Sequence, residues 1–258
     1  MNATTPRDPS VLPFTAVPAP DGHAHGLRAM AHRLGEKVVL GATAMPGCVE
    51  QYRRLAATLH HAQQQTQMRI VMVTSAMPAE GKTLTTTNLA LTLSESYKRR
   101  VLIIDADLRR PSMHSLFHVP NIAGLNEALT GAATPSAFQL SPRLTLLTAG
   151  RPNPDPMGVL TSPGMADLLR GAAAGYDWVI VDTPPVGLLT DASLLASMVD
   201  GVVMVVAAGK VSYKVVQRAA DSVGRMRILG VVLNRANESP FGAGYNYDSY
   251  YGDPRPHE

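Results

Sequence analysis

The sequence predicts an α/β fold of three αβα layers around a mainly parallel sheet. Near-continuous Val, Ile and Leu runs alternate with helical patterns from residue 69 to residue 233, and strands without polar alternation belong to sheets covered on both faces. Between the first such strand and the helix after it lies Ala76-Met77-Pro78-Ala79-Glu80-Gly81-Lys82-Thr83. That segment fits the phosphate-loop pattern, Gly or Ala, four residues, then Gly-Lys-Ser/Thr, in the strand–loop–helix context that gives the pattern its meaning. The predicted class is therefore a P-loop NTPase-type three-layer αβα fold.

Residues 1–25 are rich in Pro, Ala and Thr without periodicity, and read as a disordered arm. Residues 26–234 read as the globular domain. Glu50 to Gln65 reads as a helix with Tyr52, Leu55, Leu59 and Ala62 on one face. Strands are expected at Arg69–Thr74, Arg100–Ile104, Leu144–Leu147, Trp178–Val181, Val202–Val206 and Ile228–Leu233. Helices are expected at Leu84–Ser94, Pro163–Ala173, Ala192–Met198 and Tyr213–Arg225. From residue 235 to 258 the chain turns polar and rich in Gly and Tyr, and reads as a flexible tail.

Composition narrows the function classes. The 258 residues are 45% apolar and 17% charged, with a formal net charge of +3, as suits one large domain with a buried core. The basic residues are scattered, in pairs at Arg53-Arg54, Arg99-Arg100 and Arg109-Arg110, which is no nucleic-acid footprint. A single cysteine, Cys48, excludes a disulfide framework. No apolar run approaches the ~20 residues of a membrane span, and the N-terminus lacks a signal-peptide pattern. A cytoplasmic protein is expected.

The phosphate loop turns successive N–H groups and the positive end of a helix dipole onto one point, where a polyphosphate can sit. Ala79, Glu80, Gly81, Lys82, Thr83 and Leu84 are the candidate nucleotide contacts, with Lys82 on the β- and γ-phosphates and the Thr83 hydroxyl on Mg²⁺. Without ligand, Lys82 is expected to face solvent. The next strand ends in Asp105-Ala106-Asp107-Leu108-Arg109, two carboxylates beside the loop. A desolvated carboxylate pair needs a shared cation or proton, and Mg²⁺ suits it. A helix N-cap would account for one of the two. Val179-Ile180-Val181-Asp182 has the Walker B form, placing Asp182 to hold a metal-bound water. Asp107, Asp182 and Thr83 form the candidate metal set. Asn234 closes the last strand, where it can read an adenine edge or simply form a turn.

These residues resemble the bacterial tyrosine kinase family, the cytoplasmic autokinases of capsular and exopolysaccharide synthesis. The resemblance rests on Ala76–Thr83, on Leu102–Arg109 in the form of apolar residues then D-x-D-x-R, and on Val179–Pro185 in the form D-x-P-P. It extends to Gly244-Tyr245-Asn246-Tyr247-Asp248-Ser249-Tyr250-Tyr251, where four of eight tyrosines fall within seven residues. It implies an ATP- and Mg²⁺-dependent protein-tyrosine kinase that phosphorylates Tyr245, Tyr247, Tyr250 and Tyr251, with Asp105 as base or orienting acceptor for the incoming tyrosine hydroxyl and Arg109 assisting at phosphate or substrate. It implies as partners a transmembrane polysaccharide co-polymerase or activator subunit and a cognate tyrosine phosphatase, and a homo-oligomer, with a ring as one arrangement. Attachment to the inner face of the membrane would then come through a partner. Two departures stand out. Ala79 occupies a loop position that is usually glycine in the family, which works if its φ is negative. In the ring-packing pattern E-x-x-R-x-x-R, Glu50 and Arg53 match and the third position is Ala56.

Two other classes fit the loop. Partitioning and cell-positioning ATPases of this fold carry an extra lysine early in the loop, where this chain has Met77. A non-catalytic ATP-binding regulator of a polysaccharide co-polymerase would not need Lys82, Asp105, Asp107 and Asp182 together.

Overall fold

The computed structural model describes residues 14–19, 23–41, 44–187 and 190–236. Its centre is an eight-stranded sheet of order β1-β4-β5-β3-β6-β2-β7-β8. In chain order the strands are β1 (Thr15–Pro18), β2 (Ile70–Ser75), β3 (Val101–Asp105), β4 (Ser136–Ser141), β5 (Leu144–Leu147), β6 (Trp178–Asp182), β7 (Gly201–Ala207) and β8 (Ile228–Asn234). The six strands from β5 to β8 across the sheet are parallel, and β4 joins β5 antiparallel through a tight turn.

The central strands are apolar throughout because each face has its own core. In β2, Ile70 and Met72 enter one core while Val71 and Val73 enter the other. The same alternation divides Leu102 and Ile104 from Val101 and Ile103 in β3, and Val179 and Val181 from Trp178 and Ile180 in β6. Side chains of successive strand residues point to opposite faces, so two buried faces demand an unbroken apolar run. One core is closed by α7 (Pro163–Gly175), α8 (Thr190–Leu195) and α9 (Tyr213–Val223). The other is closed by α1 (His23–Leu34), α2 (Pro46–Thr66) and α3 (Lys82–Leu91). Short helices α4 (Met113–Phe117), α5 (Leu125–Thr130) and α6 (Met157–Leu160) fill the connections.

The sequence reading needs correction at its N-terminal boundary. Thr15–Pro18, read as part of a disordered arm, pairs parallel with β4 at the sheet edge, and a helix begins at His23. An edge strand needs only one hydrogen-bonded side, so it tolerates the flanking prolines that disguised it. Residues 1–13 lie outside the described residues. No helix among the described residues is long and apolar enough to cross a membrane.

Candidate active site

All three acidic and phosphate-loop motifs meet at the carboxyl ends of β2, β3 and β6, the neighbouring central strands. Parallel α/β sheets place their ligands there. The register aligns Asp105 with Asp182 across the β3–β6 pair. The loop leaves β2 at Ser75 and enters α3 at Lys82 through Gly81, whose φ is 96°. A side chain at Gly81 would be strained at that φ, and its Cβ would overlap the Asn234 amide nitrogen. The first turn of α3 therefore faces the site with its N–H groups, which have no partner within a helix.

An internal strut holds the loop. Glu80 is 2% exposed; its carboxylate accepts the Met77 N–H at 2.6 Å and the Ala207 N–H at 2.9 Å, tying the loop to the end of β7. From β8, Asn234 donates its amide to the Glu80 carbonyl at 2.7 Å, and the next residue, Arg235, donates to the Ala79 carbonyl at 2.8 Å. The Asn234 side-chain oxygen meanwhile accepts the Arg235 N–H at 2.9 Å. The Asn234 amide nitrogen thus braces the loop, while its oxygen fixes the turn into Arg235. Ala79 lies at φ 63°, so the negative φ expected of an alanine here is not what the structure adopts. The left-handed conformation disfavours a residue with a Cβ by roughly 1–2 kcal/mol. Glu80, Asn234 and Arg235 hold it on both sides.

The charged centre is a knot of one lysine and three aspartates. Lys82 Nζ lies 3.2 Å from Asp107 Oδ2 and 3.6 Å from Asp182 Oδ2, with only 12% of its side chain exposed. The solvent-facing lysine expected from sequence is corrected accordingly: the carboxylates draw it inward. Burial opposes its charge, yet Asp182 and Asp107, with Asp105 behind them, hold the lysine pKa above its usual value. Asp182, completely buried, accepts hydroxyl hydrogen bonds from Thr83 at 2.8 Å and Thr86 at 3.1 Å. Burial raises its pKa, while Lys82, Thr83 and Thr86 oppose the rise.

Asp105 is as completely buried as Asp182. Its Oδ1 accepts the Asp107 N–H at 3.2 Å, and its Oδ2 accepts the N–H groups of Ser112 and Met113 at 3.2 and 3.1 Å. Burial, with Asp182 nearby, pushes its pKa up to about 7, against the pull of the Met113 amide and Lys82. Asp107 accepts the Arg110 N–H at 3.1 Å on its other oxygen. Arg109 points away from the knot and donates to the Pro154 carbonyl at 2.7 Å. Leu84 lies one residue into α3 beyond Thr83 and packs against the core on the α2 side. Tyr245, Tyr247, Tyr250 and Tyr251 lie outside the described residues.

This donor set fits a nucleotide with a divalent cation. Three nearly buried carboxylates face one lysine, an excess of negative charge that a divalent cation would offset. Among the described residues no three His, Cys, Asp or Glu side chains close around a metal position. Mg²⁺ does not need such a cage, since it binds through one or two carboxylates, waters and phosphate oxygens. Sequence reasoning missed Thr86, although a polar residue three positions after Thr83 on a buried helix face was a usable signal. It also missed Arg235, which no motif marks.

Fold and site together define a ParA-type P-loop NTPase. The family model described as "ParA: NUBPL iron-transfer P-loop NTPase" matches residues 66–241. Within that class, the chain is 38% identical over 190 residues to the tyrosine-protein kinase YwqD of Bacillus subtilis, covering 72% of this chain and 80% of that one. Its structure is similar to that of the chimerical protein CapA2B2, with TM-score 0.71 and 27% identity over 81% of this chain and 98% of the other. It is likewise similar to the kinase domain of the Escherichia coli tyrosine kinase ETK, with TM-score 0.67 and 34% identity over 78% and 80% of the two chains. The chain belongs to the bacterial tyrosine kinase family.

Proposed function

We propose that this chain is an ATP- and Mg²⁺-dependent protein-tyrosine kinase that phosphorylates its own C-terminal tyrosines and regulates capsular or exopolysaccharide synthesis. The observation that carries the reading is the single cluster of Lys82, Thr83, Asp107 and Asp182 at the mouth of the phosphate loop. Phosphoryl transfer is mostly positioning and charge neutralisation, and these are the groups for it. Bound Mg²⁺ would supply positive charge against the phosphates and the carboxylates. Lys82 would leave its aspartates for the β- and γ-phosphates, and the α3 N-terminus would cradle the same oxygens. Thr83, Asp107 and Asp182 would hold the cation.

Asp105 is the proposed acceptor for the tyrosine proton. A carboxyl with a pKa raised to about 7 is matched to proton transfer near neutral pH. Because Oδ2 holds the Ser112 and Met113 amides, that turn would have to open before a phenol could approach. Arg109 would join the substrate side by releasing Pro154. If the residues between Asn234 and Tyr251 behave as a random coil, their reach would be roughly 20–25 Å, enough for transfer between subunits of a homo-oligomer. A transmembrane polysaccharide co-polymerase as activator and a tyrosine phosphatase as antagonist complete the proposal, with the chain at the inner membrane face through its partner.

The ParA family match keeps a cell-positioning ATPase in view, but Met77 stands where those proteins carry their extra lysine. Incubation with γ-labelled ATP and Mg²⁺, followed by phosphotyrosine detection, separates the readings. Label on tyrosine supports the kinase; ATP hydrolysis with unlabelled protein supports the positioning ATPase.

A further inference from the structure

At the opposite end of the sheet from the phosphate loop lies a second concave site. His60, Gln63, Gln64 and Gln67 from the end of α2 line it, with Arg69 before β2, Arg99 before β3 and Asp177 before β6. It encloses about 300 Å³.

Two polar atoms of the lining lack a partner. The Arg99 Nε and His60 Nδ1 atoms are both buried without a hydrogen-bond partner. The Gln64 amide lies 3.4 Å from His60 Nε2; with that amide donating, Nε2 is the acceptor and the ring proton sits on Nδ1. Arg69 donates one guanidinium nitrogen to the Ala173 carbonyl at 2.8 Å. The Gln63 amide is committed to the carbonyls of Met68 and Asp177, each at 2.9 Å. The one acidic group, Asp177, is also committed: its carboxylate accepts the Arg100 N–H at 2.8 Å and faces the Arg100 guanidinium at 3.5 Å. Its carboxylate is thereby turned toward Arg100, leaving two arginines and an imidazole N–H in a pocket of small-molecule size.

Buried donors without acceptors are destabilising. An oxyanion can accept from both at once, and guanidinium groups suit phosphate geometry in particular. We propose that this cleft is a binding site for a small phosphate-bearing anion, with Arg99 as its principal contact and Arg69 and His60 beside it. The site is separate from the nucleotide site, with the length of the β2 and β6 strands between them.

The test is NMR on the full chain saturated with Mg-ADP, titrated with inorganic phosphate or with O-phospho-L-tyrosine at constant ionic strength held by chloride. The His60 ring resonances and the Arg99 Nε–H are the reporters, so occupancy of the phosphate loop cannot be mistaken for binding here. The expected result in the wild type is a saturable shift of both signals, with the apparent Kd read from the His60 ring raised at least tenfold in Arg99→Gln and in Arg69→Gln. Whichever probe binds more tightly identifies a free phosphate or a phosphate monoester as the ligand class. Arg99→Gln removes no group of the active site, so tyrosine phosphorylation should proceed in it as in the wild type. Signals that move only linearly with salt, or equal Kd values in wild type and Arg99→Gln, would overturn the proposal.

Discussion

Removing the lysine at the heart of the site should do more than stop phosphoryl transfer. Lys82→Met takes away the lysine that is paired with Asp107 and Asp182 in a pocket where Asp105 and Asp182 are fully buried and Asp107 nearly so. Breaking a buried ion pair from one side costs about 3–5 kcal/mol when the charge left behind stays ionised. Here the carboxylates can instead take up a proton, since Asp105 already titrates near 7. In the variant the folded state holds carboxyl protons to higher pH, whereas the unfolded chain releases them near pH 4. Stability therefore falls as pH rises through that window, more steeply than in the wild type. We expect a loss of about 3 kcal/mol at pH 8 and about 1 kcal/mol at pH 5.5, since each proton contributes up to about 1.4 kcal/mol per pH unit. For a domain of this size that corresponds to melting shifts of about 6–12 °C and about 2–4 °C. Thermal melts of both proteins without nucleotide, at the two pH values, read this directly. Equal shifts at pH 5.5 and pH 8 would refute the claim that Lys82 neutralises the buried carboxylates.

Other changes probe the parts separately. Ala79→Gly should stabilise the apo protein by about 0.5–1 kcal/mol, the relief of a left-handed alanine less the added chain entropy; a lower melting temperature would contradict the strain. Glu80→Gln puts an NH₂ against one of two N–H donors, so the strut should weaken by about 2 kcal/mol and the KM for ATP should rise. An unchanged KM would show the loop does not depend on that carboxylate. Asp107→Asn should raise the Mg²⁺ requirement, while Asp105→Asn should lower turnover at saturating Mg²⁺; coincident titrations would remove the division of roles. Without nucleotide, Asp105→Asn should also gain stability on the wild type as pH rises from 5 to 8. An acid whose folded pKa is raised weakens the fold above its unfolded pKa, and a flat difference in melting temperature would sink this point.

The central strands were legible in the sequence because each is buried on both faces, so Val71 to Val73 or Ile103 to Ile104 left no polar residue to blur them. The phosphate loop and the aspartates were legible for the complementary reason: charge placed directly after apolar runs has few structural uses. The strands at the β1 end of the sheet were harder. β1, at the edge, is flanked by prolines, and β4 beside it, Ser136–Ser141, mixes small polar with apolar residues. What composition could not convey was contact between distant segments. Asn234 and Arg235 brace the loop from more than 150 positions away, and Lys82 turns inward because Asp107 and Asp182 arrive from other strands. Neither follows from spacing along the chain.

One measurement bears most directly on the kinase reading. Purified wild-type chain, incubated with Mg-ATP and resolved by intact-mass spectrometry with peptide mapping, should gain up to four phosphates, on Tyr245, Tyr247, Tyr250 and Tyr251. Lys82→Met alone should gain none, but should be labelled when mixed with an active chain lacking residues 240–258. A wild-type protein that turns over ATP while its mass stays unchanged, with no phosphotyrosine at any position, would contradict the account.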